Sequence, residues 1–495
     1  MIRSAQPITQ DSFKKGLVTG SDILNGERSQ SPNSMNVKWT FDDSITKRLG
    51  SSTMNTTILA GTAGWAMFDF GATNLRWLVV AHGTGISAST NLGVTFSSIA
   101  TTRTQSYQYL TRSKNVLIAT SDAYDQPLYW SGSGGTFAIA LAVGSAPACK
   151  YAINYQGFLI LLNSATRPRG FHYADEALQL TSAWPDFFEI PSSADDEVTC
   201  SFILSKRLYV STRYRLYRVT FVGGNPDWSY LEIKDWGYVP RTVKKITLKD
   251  GEVVVGLDWS RRLRIFDGSD DLIGSDNIEN NNGLNEFAME KISFAGSGLI
   301  VSHAEVDRNE QEYRLNVAIG SASSETTHAI VLNGRTLAMY PYSNQLFQAT
   351  VMAESAGRNY LMACDRSGRI HVLNSGNRDI TVAINDVYDS PYLYNQLPGT
   401  VSKSQKMDLF FTPTSSGTLI FQERRDFSSV FSEVKSRINL VSTNSLTQIK
   451  HSVDIPSTQN IYQYRISSSS NTANPWELTR VDYYLNNMGI GKGAL

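Results

Sequence analysis

The amino-acid sequence predicts an all-β chain whose main body is a β-propeller of six or seven blades. Three observations support this prediction. Paired short apolar segments recur about every 40 to 50 residues, which is the spacing of propeller blades. Charged residues make up only 18% of the chain, whereas long surface helices favour abundant Glu, Lys and Ala. Strongly amphipathic helical segments are nearly absent. An extended N-terminal arm and a C-terminal β-sandwich-like region complete the expected architecture.

Residues 1–56 are expected to form the extended arm, because polar and turn residues dominate and apolar periodicity is weak. Such a segment buries little surface alone, so it needs a neighbouring surface to become ordered. The N-terminus shows no apolar stretch typical of a signal peptide. No segment approaches the ~18 continuous apolar residues of a membrane span, so we expect no span.

The propeller is expected at residues 57–376, where one unit recurs. Each unit has a short apolar strand, a polar turn and a second short strand. The apolar strands are expected at 77–81, 116–120, 158–162, 208–210, 253–256 and 360–363, with a further one at 315–318. The unit length leaves room for two more strands, as in a four-stranded blade that stacks on its neighbours. A sandwich would show strands every ~8–12 residues without this longer period.

A hairpin motif in the first unit supports the same fold. Ser89, Asn91, Gly93, Thr95 and Phe96 match the Asp-box pattern Ser-x-Asp/Asn-x-Gly-x-Thr-Trp/Phe. The Asn side chain can bond nearby amides, Gly accepts a φ that few residues tolerate, and the aromatic ring anchors the turn. The pattern is common in sialidase-like propellers and occurs in other β folds. A single copy indicates a turn and not an activity, and a chance match stays open.

Residues 377–495 have a different character and are expected to form a separate β-rich domain. Apolar segments at 407–411 and 418–421 flank the turn 413–417, which predicts a strand pair. Further strands are expected at 462–466 and 478–485. The pattern indicates either a β-sandwich-like domain or strands that complete the propeller and add a side module.

Charge and cysteine content limit the possible functions. The chain has 45 basic and 45 acidic residues, whereas proteins that wrap nucleic acid usually have a basic excess. Cys149, Cys200 and Cys364 form no CxxC motif, so we expect three buried free thiols, which suits a reducing cytoplasm. The acidic, Asn-rich segment 267–286 offers oxygen ligands for Ca²⁺ but not in the EF-hand order, so a solvated loop is favoured.

No catalytic, cofactor or metal site is predicted. The six histidines include no i, i+2 or i+4 pair, and the sequence contains no nucleophile elbow or P-loop. Asp42 with Asp43 and Asp195 with Asp196 lie in polar turn contexts, but glycosidase chemistry needs two carboxyls facing across a cleft. The sialidase family also has an Arg-Ile-Pro motif, which this sequence lacks.

The arm contains a motif that resembles a family of phage tail proteins. Asn33-Ser34-Met35-Asn36-Val37 is followed by Asp42-Asp43 and then by Thr46-Lys47-Arg48-Leu49-Gly50-Ser51. This is similar to the arm of tail nozzle, tail hub or stabilisation proteins of short-tailed bacteriophages. In that arm an Asn-x-Val element precedes a Lys-Arg-Pro/Leu-Gly turn, and Leu49 stands where many relatives have proline.

The resemblance implies a non-enzymatic structural protein of the virion tail, assembled in the host cytoplasm. It implies a hexameric ring of propellers that forms the distal tail tube below a tail adaptor protein. Tail fibres or spikes would dock outside, and DNA would pass through the lumen without sequence-specific binding. We expect Val37, Lys47, Arg48, Leu49 and Gly50 to make inter-subunit or propeller-closing contacts. A carbohydrate- or receptor-binding propeller and a sialidase-like glycoside hydrolase stay open as alternatives.

Overall fold

A computed structural model describes residues 7–490, apart from the segments 18–29, 133–140, 176–183, 270–287, 395–399, 442–447 and 469–474 and from shorter gaps of one to three residues. The described secondary structure is almost entirely strand, with a short helix at Gly296–Ile300. This confirms the predicted all-β class. The segment predicted as a solvated or calcium-binding loop, 267–286, lies mostly outside the described residues.

Seven sheets follow one another along the described part of the chain, and their strand pairs are antiparallel except for the parallel pair of Asp379 with Ser51 in the seventh. The strands of the first sheet are Ala66–Ala72, Leu75–His82, Gly85–Ser89 and Ser97–Ala100. The second has Gln108–Ser113, Val116–Ser121, Leu128–Trp130 and Leu141–Ala142. The third has Cys149–Tyr155, Phe158–Ser164, Arg167–Asp175 and Phe187–Glu189. The fourth has Val198–Leu204, Arg207–Thr212, Leu216–Phe221 and Trp228–Lys234.

The remaining three sheets vary this plan. The fifth has the described strands Lys244–Leu248, Gly251–Leu257 and Leu263–Phe266. The sixth has His303–Asp307, Glu312–Val317, His328–Asn333 and Met339–Ser343. The seventh has Phe347–Ser355, Arg358–Asp365 and Ile370–Leu373, followed by Ser51–Thr53, Arg378–Asp379 and Val382–Ala383. Each apolar segment predicted from the repeat lies in the second strand of one of these sheets.

The second strands show why the repeat was visible. Positions 78–81, 159–162 and 208–210 are buried at every residue, so they lack the alternation of a sheet with one solvated face. Both faces are covered because each sheet packs between two neighbours. These strands therefore appear in the sequence as continuous apolar runs.

Tight turns connect the first two strands of several sheets. In the third sheet Gln156 and Gly157 have φ values of 49° and 85°. In the fourth sheet Ser205 and Lys206 have φ values of 49° and 63°. Two successive residues with positive φ are typical of two-residue hairpin turns whose twist matches that of the strands. These turns fix the register of each hairpin.

The seven sheets form a closed ring. The first strand of each sheet contacts the first strand of the next, except that the fourth sheet contacts the second strand of the fifth. The first strand of the seventh sheet contacts the first strand of the first sheet. Met67 and Val80 share one hydrophobic core with Val351 and Met362 across this last boundary. A ring of radially packed antiparallel sheets is the architecture of a β-propeller.

An arm strand takes part in the last sheet of the ring. Ser51–Thr53 pairs antiparallel with Ile370–Leu373, so it takes the fourth position of the seventh sheet. The arm therefore provides the strand that the chain between 347 and 373 lacks. Residues that precede the propeller strands in the sequence, Ser51–Thr53, thus pair with Ile370–Leu373, near the end of the propeller segment.

Two six-stranded sheets stand beside the propeller. Sandwich sheet I contains Pro7–Gln10, Val37–Trp39, Ile45–Lys47, Thr400–Thr412, Ile449–Gln459 and Glu477–Ile490. Sandwich sheet II contains Ser34–Met35, Val387–Asp389, Leu393–Tyr394, Thr418–Arg425, Ser432–Asn439 and Ile461–Ser468. A short parallel pair, Gly16–Leu17 with Gln30–Ser31, completes the described arm strands. Strands from the arm thus lie in both sandwich sheets.

One hydrophobic core fills the space between the two sandwich sheets. Met407 and Leu409 of sheet I face Phe421 and Tyr464 of sheet II within it, and Tyr340 of the sixth propeller sheet joins the same core. The predicted strand pair across the turn 413–417 is wrong, because its two strands lie in different sheets. The two strands place their alternating apolar residues in the shared core from opposite sides, so they pack face to face instead of pairing along their edges.

Candidate functional site

The arm motif forms a buried polar cluster, the arm junction, defined by Asn36, Lys47, Arg48, Asp379 and Asp386. Asn36 has a left-handed φ of 58° at the crossing between the arm strands of the two sandwich sheets. Its Nδ2 donates to the Asn385 carbonyl (2.6 Å) and to Ser343 Oγ (2.8 Å). Its Oδ1 accepts from the Ser343 amide at 2.9 Å and from Arg48 Nε at 2.8 Å. One asparagine side chain thus connects the arm to the sixth propeller sheet.

Arg48 is buried and forms a bidentate ion pair with Asp379. Arg48 Nη1 lies 2.8 Å from Asp379 Oδ1, and Nη2 contacts Oδ2. Nη2 also donates to the Ser343 carbonyl (3.0 Å), and the guanidinium carbon lies 5.2 Å from the centroid of the Tyr342 ring. Asp379 belongs to the short strand Arg378–Asp379 of the seventh sheet. Arg48 therefore joins the arm to the sixth and seventh sheets.

Lys47 makes the second buried ion pair of the junction. Its Nζ lies 3.3 Å from Asp386 Oδ1. Asp386 Oδ2 accepts from Trp476 Nε1 at 2.7 Å and from the Ser468 amide at 3.1 Å. Trp476 is fully buried in the sandwich core. This pair ties the arm to the sandwich, whereas Arg48 ties it to the propeller.

The other predicted arm residues surround these pairs. Val37 is buried in the sandwich core, and Leu49 is 39% exposed. The Gly50 amide donates to the Gly376 carbonyl at 2.9 Å. A Cβ on Gly50 would lie 1.9 Å from the Arg378 carbonyl oxygen, so no other residue fits without a backbone shift. Of the five predicted arm residues, Leu49 is the one exposed on this chain.

The hairpin motif in the first sheet forms a compact turn between its third and fourth strands. Asn91 Oδ1 accepts from the Thr95 amide at 3.0 Å, and Asn91 Nδ2 donates to Thr95 Oγ1 at 2.9 Å. Ser89 Oγ accepts from the Gly93 amide at 2.9 Å. Gly93 has a φ of 86°, and Phe96 packs against the core between the first and seventh sheets. These contacts are structural.

A cavity of about 230 Å³ lies at the centre of the ring. Every sheet contributes to its lining, for example through Met67, Tyr109, Tyr151, Ser201, Lys244, His303 and Thr350. Arg241, in the connection between the fourth and fifth sheets, also lines it. No Asp or Glu is among the described lining residues. The sialidase-like alternative therefore has no carboxylate pair in this cavity.

The carboxylate pairs singled out in the sequence do not form a site. Asp42 and Asp195 are exposed. Asp196 is buried, and its carboxylate accepts from the Tyr214 amide at 3.0 Å and from Thr212 Oγ1 at 2.9 Å. Asp196 thus holds a turn of the fourth sheet. Within the described ranges, no group of three or more His, Cys, Asp and Glu side chains is placed to hold a metal ion.

The three cysteines are buried and unpaired, as predicted. Burial raises the pKa of the Cys200 thiol to about 12. Burial also raises the pKa values of Cys149 and Cys364. These thiols remain protonated at neutral pH, which is unlike a reactive cysteine. No helix in the described part of the chain is long and apolar enough to cross a membrane.

Comparisons with known proteins add little beyond the fold. No family model and no curated protein matches this chain. Among solved structures, one from a mitotic checkpoint complex is 9% identical and covers 66% of this chain and 94% of its own, with a TM-score of 0.40. BBS1N, in a complex with ARL6DN, is 11% identical over 66% of this chain and 98% of its own, with a TM-score of 0.37. The designed Ika8 protein is 10% identical over 65% and 99%, with a TM-score of 0.36. The propeller assignment rests on the closed ring described above.

Sequence reasoning did not identify several residues that matter here. Asp379 and Asp386, the partners of Arg48 and Lys47, follow the ring in segments without a recognisable motif. Arg241 follows Pro240 in a connecting turn and is one of many arginines in the chain. The only signal for Asp379 and Asp386 was indirect, because two consecutive basic residues in an otherwise buried arm require acidic partners.

Proposed function

We propose that this protein is a structural virion protein of a short-tailed bacteriophage, forming the distal tail tube as a ring of identical subunits. Each of the seven sheets is taken as one propeller blade. A tail adaptor protein would bind one end of the ring, and tail fibres or spikes its outer surface. The role is non-enzymatic.

The arm junction is the observation that carries the proposal. The residues that resemble the phage tail family are those that join the propeller to the sandwich through two buried ion pairs. A tail tube must transmit force without deformation, and a buried, hydrogen-bonded network that spans three structural units restricts their relative motion. The motif thus has a structural task suited to the proposed role.

The size of the central cavity limits where DNA would pass in this proposal. The central cavity has a volume of about 230 Å³, far less than a segment of duplex DNA occupies. Duplex DNA cannot enter it. In this proposal the lumen for DNA therefore lies between subunits of the ring, and the balanced charge of the chain suits passage without tight binding.

The oligomeric state tests this proposal. Light scattering of the full-length chain should give six times the chain mass of 54.8 kDa, or that mass plus the bound adaptor when the adaptor protein is added, and electron microscopy should show rings. Leu49→Glu places a charge on the exposed arm residue and should prevent ring formation. Ile58→Glu, at a position 53% exposed outside the motif, is the matched control. A chain that stays monomeric with every tail partner would contradict the proposal.

A second candidate function is carbohydrate or receptor binding, which one surface cluster favours. Arg213 lies with its guanidinium carbon 5.0 Å from the centroid of the Trp259 ring and 5.5 Å from that of Tyr214. Tyr214 is 45% exposed, and exposed aromatic rings are common platforms for sugars. Glycan-array binding that is lost in Trp259→Ala and kept in Tyr230→Ala would favour this function, whereas an array without signal would remove it.

A further inference from the structure

Arg241 crosses the centre of the propeller. It has a left-handed φ of 68°, and its Nη2 donates to the carbonyls of Trp65 (3.1 Å) and Gln348 (2.5 Å) in or beside the first and seventh sheets. Its guanidinium carbon lies 4.7 Å from the centroid of the Tyr107 ring, just before the second sheet. Its own carbonyl accepts from the Ala304 amide of the sixth sheet at 3.0 Å. Arg241 is therefore held firmly in the central cavity.

Arg241 has no ion-pair partner among the described residues, although the carboxylate of Asp122 is near enough to interact with its charge. Its Nη1 is buried and has no hydrogen-bond partner, and no described carboxylate lies within ion-pair distance of it. Lys244, the other basic lining residue, is paired with Glu305 at 2.8 Å. A buried cationic donor without a partner is costly, because burial removes its water. Arg241 thus contributes to the cavity lining a charged donor, Nη1, that has no hydrogen-bond acceptor.

Two further polar groups of the lining are buried without partners. His303 Nε2 and Thr350 Oγ1 have no hydrogen bond, and their residues are 3% and 6% exposed. His303 Nδ1 faces the Val301 carbonyl at 3.2 Å, so Nδ1 carries the hydrogen and Nε2 is an acceptor. Burial lowers the pKa of His303 well below its ordinary value, and the positive charge of Arg241 adds to this. The ring is therefore neutral.

The three groups define the chemistry of an occupant. Arg241 Nη1 needs an acceptor, for which its positive charge favours an anion, His303 Nε2 needs a donor, and Thr350 Oγ1 can serve either role. We propose that the central cavity binds a small oxyanion that also carries a hydroxyl group, hydrogen phosphate being the simplest example. Its charged oxygen accepts from Arg241, and its hydroxyl donates to His303. This site is independent of the proposed tail function.

Binding of inorganic phosphate and sulfate to the full-length chain tests the proposal. Equilibrium dialysis with radiolabelled anion at neutral pH and constant ionic strength should give one saturable phosphate site per chain. Sulfate has no hydroxyl at this pH and leaves His303 Nε2 unpaired, so it should bind at least ~10-fold more weakly. Failure to detect saturable phosphate binding, or equal affinity for the two anions, would overturn the proposal.

Variants separate the roles of the two side chains. Arg241→Met should weaken phosphate binding by at least ~10-fold, since a hydrogen bond to a charged group is lost. Arg358→Met removes an exposed arginine from a hairpin of the seventh sheet and should leave binding unchanged. His303→Asn removes the Nε2 acceptor and should reduce phosphate affinity to that of sulfate, which keeps the test informative if Arg241→Met does not fold. Wild-type affinity in both variants, or a high-resolution structure in phosphate that shows only water in the cavity, would contradict the site.

Discussion

The arm junction and the central cavity both bury arginine, but they treat its charge differently. Arg48 has a carboxylate partner, an asparagine acceptor and two backbone carbonyls, all supplied by the same chain. Arg241 has two carbonyls on one nitrogen and no partner on the other. The hydrogen bonds of Arg48 are satisfied by its own chain, whereas those of Arg241 are satisfied only when a ligand occupies the cavity. Whether the hydrogen bonds of a buried arginine are satisfied by its own chain thus distinguishes a structural contact from a binding site more clearly than its burial does.

The comparison also separates the contributions of the two regions to stability. A buried pair of opposite charges is costly to assemble, and removal of one partner leaves the other charge without compensation. The junction should therefore be intolerant of substitution. The cavity lining already contains polar atoms without hydrogen-bond partners. Substitution of one of them therefore removes the free-energy cost of burying it as well as a contact with the ligand. We expect its substitutions to alter binding more than folding.

The largest effect is expected from deletion of residues 1–50. This removes the arm strands from both sandwich sheets together with Lys47 and Arg48, so the exposed sandwich core should cause aggregation and loss of ring formation. Solubility and analytical size exclusion measure this outcome. Deletion of residues 1–6, which precede the strand Pro7–Gln10, is the control. A soluble ring formed by the chain without residues 1–50 would show that the junction is dispensable.

Loss of a single junction charge should come next. Arg48→Ala leaves Asp379 buried and unpaired, which should lower the free energy of unfolding by about 3–5 kcal/mol. Urea denaturation followed by tryptophan fluorescence measures the change. Lys245→Ala, which breaks a pair with Glu252 in which both side chains are exposed, should cost less than ~1 kcal/mol. Similar losses in the two variants would remove the distinction between the junction and the surface.

Gly50→Ala tests the close packing at the edge of the junction. Its Cβ would clash with the Arg378 carbonyl, so the backbone must shift at a cost of about 1–3 kcal/mol. Gly71→Ala is the control, because the nearest atom to its Cβ would be a flexible side-chain carbon at 3.9 Å. Thermal unfolding of both variants provides the measurement. An unchanged melting temperature for Gly50→Ala would mean that the arm is not tightly fitted there.

Acid should destabilise the propeller through the buried side chain of His303. The pKa of His303 is lowered from its ordinary value of 6.5, so the unfolded chain binds more protons below pH 6.5. Stability is therefore full above pH 6.5 and falls as the pH decreases, by up to about 1.4 kcal/mol per pH unit for one proton. Thermal unfolding between pH 5 and 7.5 measures the slope, and His303→Asn should reduce it to the part due to His82, His172 and His328, whose pKa values burial also lowers. An equal slope in the variant would place the acid-sensitive group elsewhere.

The smallest effect is expected in the hairpin turn of the first sheet. Asn91→Ala removes the acceptor of the Thr95 amide, and we expect a loss of about 0.5–1.5 kcal/mol. Thr90→Ala alters an exposed residue of the same turn and should be close to neutral. Denaturation midpoints compare the two variants. A loss above that of Arg48→Ala would make this turn, and not the junction, the critical point.

The repeat was predictable from sequence because second strands buried on both faces appear as apolar runs. The closing strand Ser51–Thr53 was not, since three small polar residues have no periodic pattern and take their structure from the sheet they join. The strand pair across 413–417 was predicted wrongly for a related reason. Alternation shows that a strand has one buried face, but it does not show which sheet supplies the opposite face.

The site residues were predictable only in part. The motif around Lys47 and Arg48 was visible as a local pattern, but Asp379 lies 331 residues from Arg48. Arg241 depends on closure of the whole ring, because its carbonyl partners at Trp65 and Gln348 are 176 and 107 residues away. Local sequence propensity cannot predict such long-range contacts, which arise from tertiary packing.

The pairing of Thr53 with His371 has a consequence for synthesis of the chain. The two residues are 318 positions apart, so a ribosome working at ~5–20 residues per second needs roughly 15 to 60 s to produce the partner of the closing strand. Throughout that interval the nascent ring is open. A chain that terminates before residue 370 lacks the strand with which Ser51–Thr53 pairs, so its last sheet stays incomplete.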